Sequence, residues 1–191
     1  MKSFQTPWVG MFASTDNHQL PLFVARNPRS QAMEVDSLKC PLKNIDCCYA
    51  NPPWTIIGKW LHRLRENRHV TCMIIVPYWV SSAWWPLLVK LHMRGAPSFL
   101  IPPFWGMFRN CWGELMPPPK WPLVCTWLSG KAYRPNKSAI KLQKLTWVSW
   151  KVSTGMKSPS SYFGHFAPLR AWMPWVPHCL KWLDWFCSLI N

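Results

Sequence analysis

Four consecutive residues, Asn51-Pro52-Pro53-Trp54, close the apolar run "CCYA" (47–50) and lead into an aliphatic helical pattern. Their types have a joint chemical use. The Asn carboxamide oxygen and a neighbouring backbone carbonyl are two acceptors that together can grip an exocyclic NH2. Prolines fix φ and donate no N–H, so the carbonyl beside them is held in an extended conformation. The indole adds a flat apolar face on which a planar base can stack. At the end of a strand, this set suits an amino-bearing nucleobase taken out of its stack. The plainer reading is a turn that ends a strand and does nothing more.

Elements on both sides must hold the four residues in place. "CCYA" reads as a buried strand, and Thr55 to Arg65 as a helix. Ile56, Ile57, Trp60, Leu61 and Leu64 share one face of that helix, with Lys59, Arg63 and Glu66 turned outward. "VTCMIIVP" (70–77) is a second buried strand. Strand, helix and strand in about thirty residues make a βαβ unit with parallel strands. Ligands in open α/β sheets bind beyond the carboxyl ends of such strands, where Asn51 to Trp54 would lie. Upstream, "WVGMF" (8–12) and "LPLFVA" (20–25) read as strands separated by a polar turn. Downstream, Ser81 or Ser82 is placed to cap a helix running to about Met93, with Pro86 in its first turn. "SFLI" (98–101) and "PLVCTWLSG" (122–130) complete the strands, the second as the last, and 102–122 is a Pro-, Gly- and Trp-rich loop.

Charge narrows the partners. The chain has 22 Lys and Arg against 7 Asp and Glu, a net charge of +15. An anionic partner follows, nucleic acid first and a membrane surface second. After Glu66 the only acids are Glu114 and Asp184, which argues against a two-carboxylate hydrolase or a carboxylate metal site in that region. The 8 cysteines include no C-x-x-C pair and no paired Cys/His set, and the six histidines show no ligand spacing, so no metal is expected. The opening "MKSFQTPWVG" has no apolar leader core, so reduced thiols and an intracellular, nuclear or cytoplasmic, location are expected. Residues 70–93 approach spanning length, but Pro77, Ser81, Ser82 and Pro86 interrupt them, and strand, turn and helix is the better reading.

Asn-Pro-Pro followed by an aromatic after a buried strand resembles the catalytic motif of N6-adenine and N4-cytosine DNA methyltransferases. The likeness widens over "MFASTDNHQLPLFVARNPRSQAMEVDSLKCPLKNIDCCYANPPWTIIGKWLHRL" and "PYWVSSAWWPLLVKL". There the chain resembles the Dam-like N6-adenine methyltransferase domain of DIRS-type and related retrotransposon polyproteins. The resemblance covers roughly residues 5–130 and implies an α/β fold, a partial Rossmann-like methyltransferase sheet with helices. It also implies catalytic roles for Asn51, Pro52, Pro53 and Trp54. Gly10, Phe12 and Asp36 then stand at positions for S-adenosylmethionine. "NHQLP" (17–21) matches a further signature of the family. The family reads Asp-Leu-Phe-Ala-Ser where this chain reads "GMFAS", so a carboxylate expected beside the cofactor is replaced by Gly10. The resemblance thus implies the fold together with impaired cofactor binding. The partner would be nucleic acid, DNA before RNA.

Residues 131–191 form a basic, Trp-rich tail, partly helical or disordered, with an amphipathic helix expected over 180–190. "SWKVST", "YFGHF" and "LKWLDWFCSLI" are faintly similar to the start of a tyrosine-recombinase N-terminal DNA-binding domain. The chain read this way is a fragment or domesticated remnant of a retroelement polyprotein. Two alternatives stand beside it, a non-enzymatic basic nucleic-acid-binding remnant and a membrane-associated Trp-rich protein. Lys131, Arg134, Lys137, Lys141, Lys144, Lys151 and Lys157 run through a stretch with no acid. Nucleic-acid affinity should therefore fall with salt, with a log–log slope of about −0.9 per phosphate contact on duplex DNA. Filter binding from low to high salt on single and double strands checks this, and a flat response would point to the membrane or a protein partner.

Overall fold

The computed structural model describes residues 5–15, 18–28, 31–96, 98–103, 114, 116–133 and 145–147. In chain order the elements are β1 (Val9–Ala13), β2 (Leu22–Ala25), β3 (Glu34–Val35), β4 (Cys47–Ala50), α1 (Ile57–Glu66), β5 (Thr71–Pro77), α2 (Trp85–Leu91), β6 (Ser98–Ile101), β7 (Leu123–Ser129) and β8 (Leu145–Trp147). They form one sheet in the order β3-β2-β1-β4-β5-β7-β6-β8. The strands β3, β2, β1, β4 and β5 pair in parallel, and β7 runs against both β5 and β6. A 3-2-1-4-5-7-6 sheet with a reversed seventh strand is the Rossmann-like methyltransferase fold, as expected.

The βαβ unit of β4, α1 and β5 follows from its residues. All four residues of β4 are buried, as are six of the seven in β5, as a parallel strand covered on both faces requires. Pro53 has φ −50 and ψ 139, which keeps it out of the helix; a 3-10 turn at Trp54–Ile56 then leads into α1. Ile57, Trp60, Leu61 and Leu64 are the buried stripe of α1. Arg63 and Arg65 in its last turn oppose the helix dipole favourably. Asn67 ends the helix, with its backbone N–H and its side chain both donating to the Arg63 carbonyl. One core joins Val9, Met11, Cys48, Ala50, Cys72, Ile74 and Val76 on one sheet face to α1, to Leu88 and Leu91 of α2, and to Cys40, Leu42 and Ile45 of the β3–β4 connection. Burying each large aliphatic side chain contributes about 1.5–3 kcal/mol.

Several boundaries differ from the sequence reading. α2 begins at Trp85, with Pro86 in its first turn; Ser82 contributes its backbone carbonyl to a turn with the Trp85 N–H, and no side chain caps the helix. The helix stops at Leu91 because His92 bridges to Leu128 and the Met93 N–H donates to the Trp127 carbonyl. β3 is two residues long, too short for alternation to reveal it. β7 is not the last strand: β8 pairs with β6, and it comes from the stretch read as tail. The expected helix at 180–190 and the recombinase-like stretches lie outside the described residues.

Two compact units divide the chain. The first, Met1–Pro103 with Lys120–Val148, holds the sheet. The second is Phe104–Pro119 with Ser149–Asn191, and its described residues, 114 and 116–119, form no regular element. No helix among the described residues is long and apolar enough to cross a membrane.

Polar contacts fasten the remaining edges. Gln5 and Trp8 donate to the two Asp46 oxygens at 2.8 Å each, pinning the N-terminal segment to the start of β4 and holding this exposed carboxyl below its ordinary value. His92 approaches the Ser98 hydroxyl at 2.9 Å, Ser98 meets Thr126 at 2.6 Å, and burial lowers the His92 pKa. Burial pushes the Cys40 thiol up and that of Cys47 up to about 12. Contact with Cys72, then burial, raises Cys48. These thiols stay protonated and inert at neutral pH.

Gly130, after β7, seals the far end of α1. An added Cβ would lie 2.5 Å from the Leu64 carbonyl oxygen, 2.8 Å from Arg68 Cα and 3.0 Å from the Asn67 carbonyl oxygen. All three are backbone atoms, so Gly130→Ala should cost about 1–3 kcal/mol through overpacking. At Gly58, within α1, the same atom would meet only Trp84 Cβ, at 3.6 Å. Gly58→Ala should be neutral or stabilising by up to about 1 kcal/mol. Urea unfolding of the two variants side by side checks the contrast.

Candidate functional site

Strand order reverses between β1 and β4, which makes their carboxyl ends the switch point of the sheet, the usual ligand crevice of open α/β folds. Gly10 of β1 pairs with Tyr49 of β4 there, two residues before Asn51. Asn51 is exposed, and among the described residues no hydrogen-bond partner engages its side chain. Pro52 is buried; Pro53 and Trp54 are exposed.

Trp54 is not alone. Its ring centroid lies 5.5 Å from that of Trp79, which follows β5, and 5.5 Å from that of Trp121, which precedes β7. Trp79 and Trp121 are 5.2 Å apart, and all three pairs are edge-to-face. The backbone explains the meeting. β5 and β7 pair as far as Pro77 with Leu123, and beyond that rung the Tyr78 N–H donates to the Pro122 carbonyl at 2.9 Å. Residues 79 and 121 are thus carried together past the edge of the sheet, next to the turn that follows β4. Trp54 is 42% exposed, so it closes the cluster from the solvent side.

The other side of the crevice is built on two backbone outliers. Phe12 and Asp36 both have φ of +59. For residues other than Gly this left-handed conformation is uncommon, and it tends to gather where a site is held in place. Phe12 lies in a register irregularity of β1 between Gly10 and Ala13. Its N–H donates to the Ser37 hydroxyl at 3.1 Å, and its ring meets Trp60 edge-to-face at 5.2 Å. Asp36 follows β3. Its carboxylate accepts from the Leu38 N–H at 3.0 Å and lies 3.5 Å from Lys39 Nζ, so it is engaged within its own turn.

Besides Glu34 of β3 and Asp36 after it, the neighbouring strand ends carry no acid among the described residues. Gly10 has no side chain, β1 ends at Ala13, and Ser14 and Thr15 follow it. β2 ends at Ala25 and is followed by Arg26. Asp16 lies outside the described residues. His18, from "NHQLP", stacks on Phe23 at 4.5 Å and bonds the Thr15 carbonyl through Nδ1 at 2.9 Å, folding the β1–β2 loop onto the sheet. Among the described residues no three His, Cys, Asp or Glu side chains gather where they could share a metal ion.

The structure therefore brings Asn51 to Trp54 to one strand end and Phe12 and Asp36 to neighbouring ones, while Gly10 lies inside β1, paired with Tyr49. Sequence reasoning missed Trp79, Trp121, Ser37 and Arg63. Trp79 was within reach, two residues after a parallel strand. Trp121 is 67 positions from Trp54, and no local pattern links the two. Arg63 is a correction: it does not face solvent, but donates through Nη1 to the Leu38 carbonyl at 2.6 Å and through Nη2 to the Cys40 carbonyl. It clamps the turn that carries Asp36 and Ser37.

No family model and no curated protein matches the chain. Among solved structures it is similar to a dimethyladenosine transferase from Plasmodium falciparum, at 17% identity and a TM-score of 0.38. The match covers 63% of this chain and 54% of that enzyme, so the chain spans about half its length. The fold assignment stands on strand order.

Arg63→Lys keeps the charge but loses the two-pronged grip on Leu38 and Cys40. With hydrogen bonds to a charged donor worth about 1.5–3 kcal/mol, the variant should lose roughly that much stability. Exchange of the Phe12 and Leu38 amides should also speed up more than that of β5. Native-state hydrogen exchange reads both, and uniform acceleration would show that the clamp is not local.

Proposed function

We propose that this chain is a retroelement-derived, nucleic-acid-associated protein whose methyltransferase-like domain, residues 5–130, holds an unpaired amino-bearing base at the carboxyl end of β4, with weakened binding of S-adenosylmethionine. The observation that carries the reading is Asn51-Pro52-Pro53-Trp54 at the switch point of a methyltransferase sheet, beside two further indoles. The Asn51 carboxamide oxygen and the Pro52 carbonyl would accept from the exocyclic amine. Trp54 would stack on the ring. The retroelement origin rests on the sequence resemblance across residues 11–91.

S-adenosylmethionine carries a cationic sulfonium, an ammonium and a ribose diol. In Rossmann folds an acid about 20 residues beyond the first βα turn holds the ribose hydroxyls. The described strand ends fit this cofactor poorly. Position 10 has no carboxylate, Arg26 follows β2, and Asp36 is engaged with Leu38 and Lys39. The chain's own residues do the holding: the prolines fix the carbonyl, Asn51 accepts, and the indoles exclude water. The basic tail, 131–191, would add phosphate contacts, DNA before RNA.

Two measurements test the reading. In single-strand binding at high salt, where phosphate attraction is screened, Trp54→Ala should weaken affinity by the worth of one stacked base, about 1–3 kcal/mol. Unchanged affinity would remove the base site. In calorimetry, wild type should bind S-adenosylmethionine weakly or not at all, and Gly10→Asp should tighten it. The gain from one charge-assisted hydrogen bond is about one to two orders of magnitude. A Cβ at Gly10 has room, with Phe23 Cβ 3.9 Å away. Micromolar binding by wild type, with no gain in the variant, would overturn the cofactor argument.

A further inference from the structure

Four buried side-chain polar atoms among the described residues lack a hydrogen-bond partner: Thr15 Oγ1, Trp60 Nε1, Arg63 Nε and Trp121 Nε1. Buried donors are nearly always satisfied, and an exception calls for an explanation. Arg63 already spends its other two nitrogens on the Leu38 and Cys40 carbonyls. Trp60 sits in the core, edge-to-face with Phe12. Trp121 differs, because its ring touches Trp54, the last residue of the Asn-Pro-Pro-Trp turn. Its N–H is a buried donor without a partner, on a ring that packs edge-to-face with Trp54.

We propose that Trp121 is a specificity residue, whose indole N–H donates to a ring nitrogen of the base held at Asn51. This rests on the base-site reading above. On the Watson–Crick edge, adenine presents its amine next to N1 and cytosine presents its amine next to N3, both acceptors. Guanine instead places an N–H beside its amine, and thymine and uracil have no amine. Asn51 and Pro52 accept from the amine; Trp121 donates to the adjacent nitrogen. On the Watson–Crick edge the pair reads an amine with a neighbouring acceptor, so thymine, uracil and the N1–H edge of guanine leave a donor facing a donor. The N–H is buried, and the Trp121 ring lies edge-to-face with Trp54. Trp54 is 42% exposed, and a base stacked on it would take the place of its edge-to-face contact with Trp121.

The test uses the full chain and single-stranded oligonucleotides bearing one variable base in an abasic background, titrated by fluorescence anisotropy at high salt. Wild type should prefer adenine or cytosine over guanine and thymine by roughly tenfold, the worth of one hydrogen bond. Replacing adenine with 1-deazaadenine, which keeps the amine and loses the N1 acceptor, should remove most of that preference. This comparison needs no variant, so it stands even where a substitution perturbs folding. Trp121→Phe should bind adenine and 1-deazaadenine alike. If wild type binds the two equally while Trp54→Ala still weakens binding, the role of Trp121 is wrong and the base site survives. If neither the base nor Trp54 affects affinity, both fall.

Discussion

Pro52 and Pro53 have no N–H to give to a sheet, and the rest of the site depends on that. β4 is buried over its whole length and flanked by β1 and β5, so the ladder could otherwise have run on. Instead it ends at the pairing of Ala50 with Ile74, while β5 continues three residues further, to Pro77. The early exit leaves a step in the sheet edge beside the switch point. Asn51 and Trp54 line the step, and the longer β5, carrying Trp79 and drawing Trp121 in through β7, forms its wall. A residue able to donate at 52 would let β4 lengthen and close the step.

This dependence explains what was legible in the sequence. β4, α1 and β5 follow from local rules, namely buried runs, a 3.6-residue apolar stripe and proline breaks, and each fell within a residue or two of its expected position. Asn51 to Trp54 were legible for the same reason, since the chemistry and the break lie in one stretch. What could not be read depends on register between distant segments. Trp121 reaches Trp54 only because β7 is antiparallel to β5 and pairs with it up to Pro77. Arg63 looked like an ordinary outward helix position, and only the path of residues 36–40 beneath it turns it inward. β3 and β8, two and three residues long, are too short to show a period.

The two halves of the crevice have different physical characters. On the β4–β5 side, apolar rings pack on one another with one indole N–H left over. On the β1–β3 side the backbone does the work: Phe12 and Asp36 are held at positive φ, tied by the Ser37 hydroxyl and by the clamp of Arg63. Left-handed conformation at such residues costs about 1–3 kcal/mol each and persists only where the surroundings enforce it. Here the enforcement is explicit, because each outlier has a hydrogen bond that a relaxed backbone would break.

Shape and charge have come apart at the β1–β3 ends. The sheet order, the bulge of β1 and the tight turn at Asp36 keep the crevice of a Rossmann-like methyltransferase sheet, and that form is fixed by the core beneath it. Trp60 supports Phe12, and Arg63 on the same helix supports the Asp36 turn, so the scaffold cannot relax without disturbing α1. Charge is under no such constraint. Arg26 is exposed and can stand in place of a carboxylate with no effect on Val9, Met11 or Val24, which face the core, and buried Gly10 avoids placing a charge inside β1. The other half, made of packed indoles and prolines, has no such independence from the core.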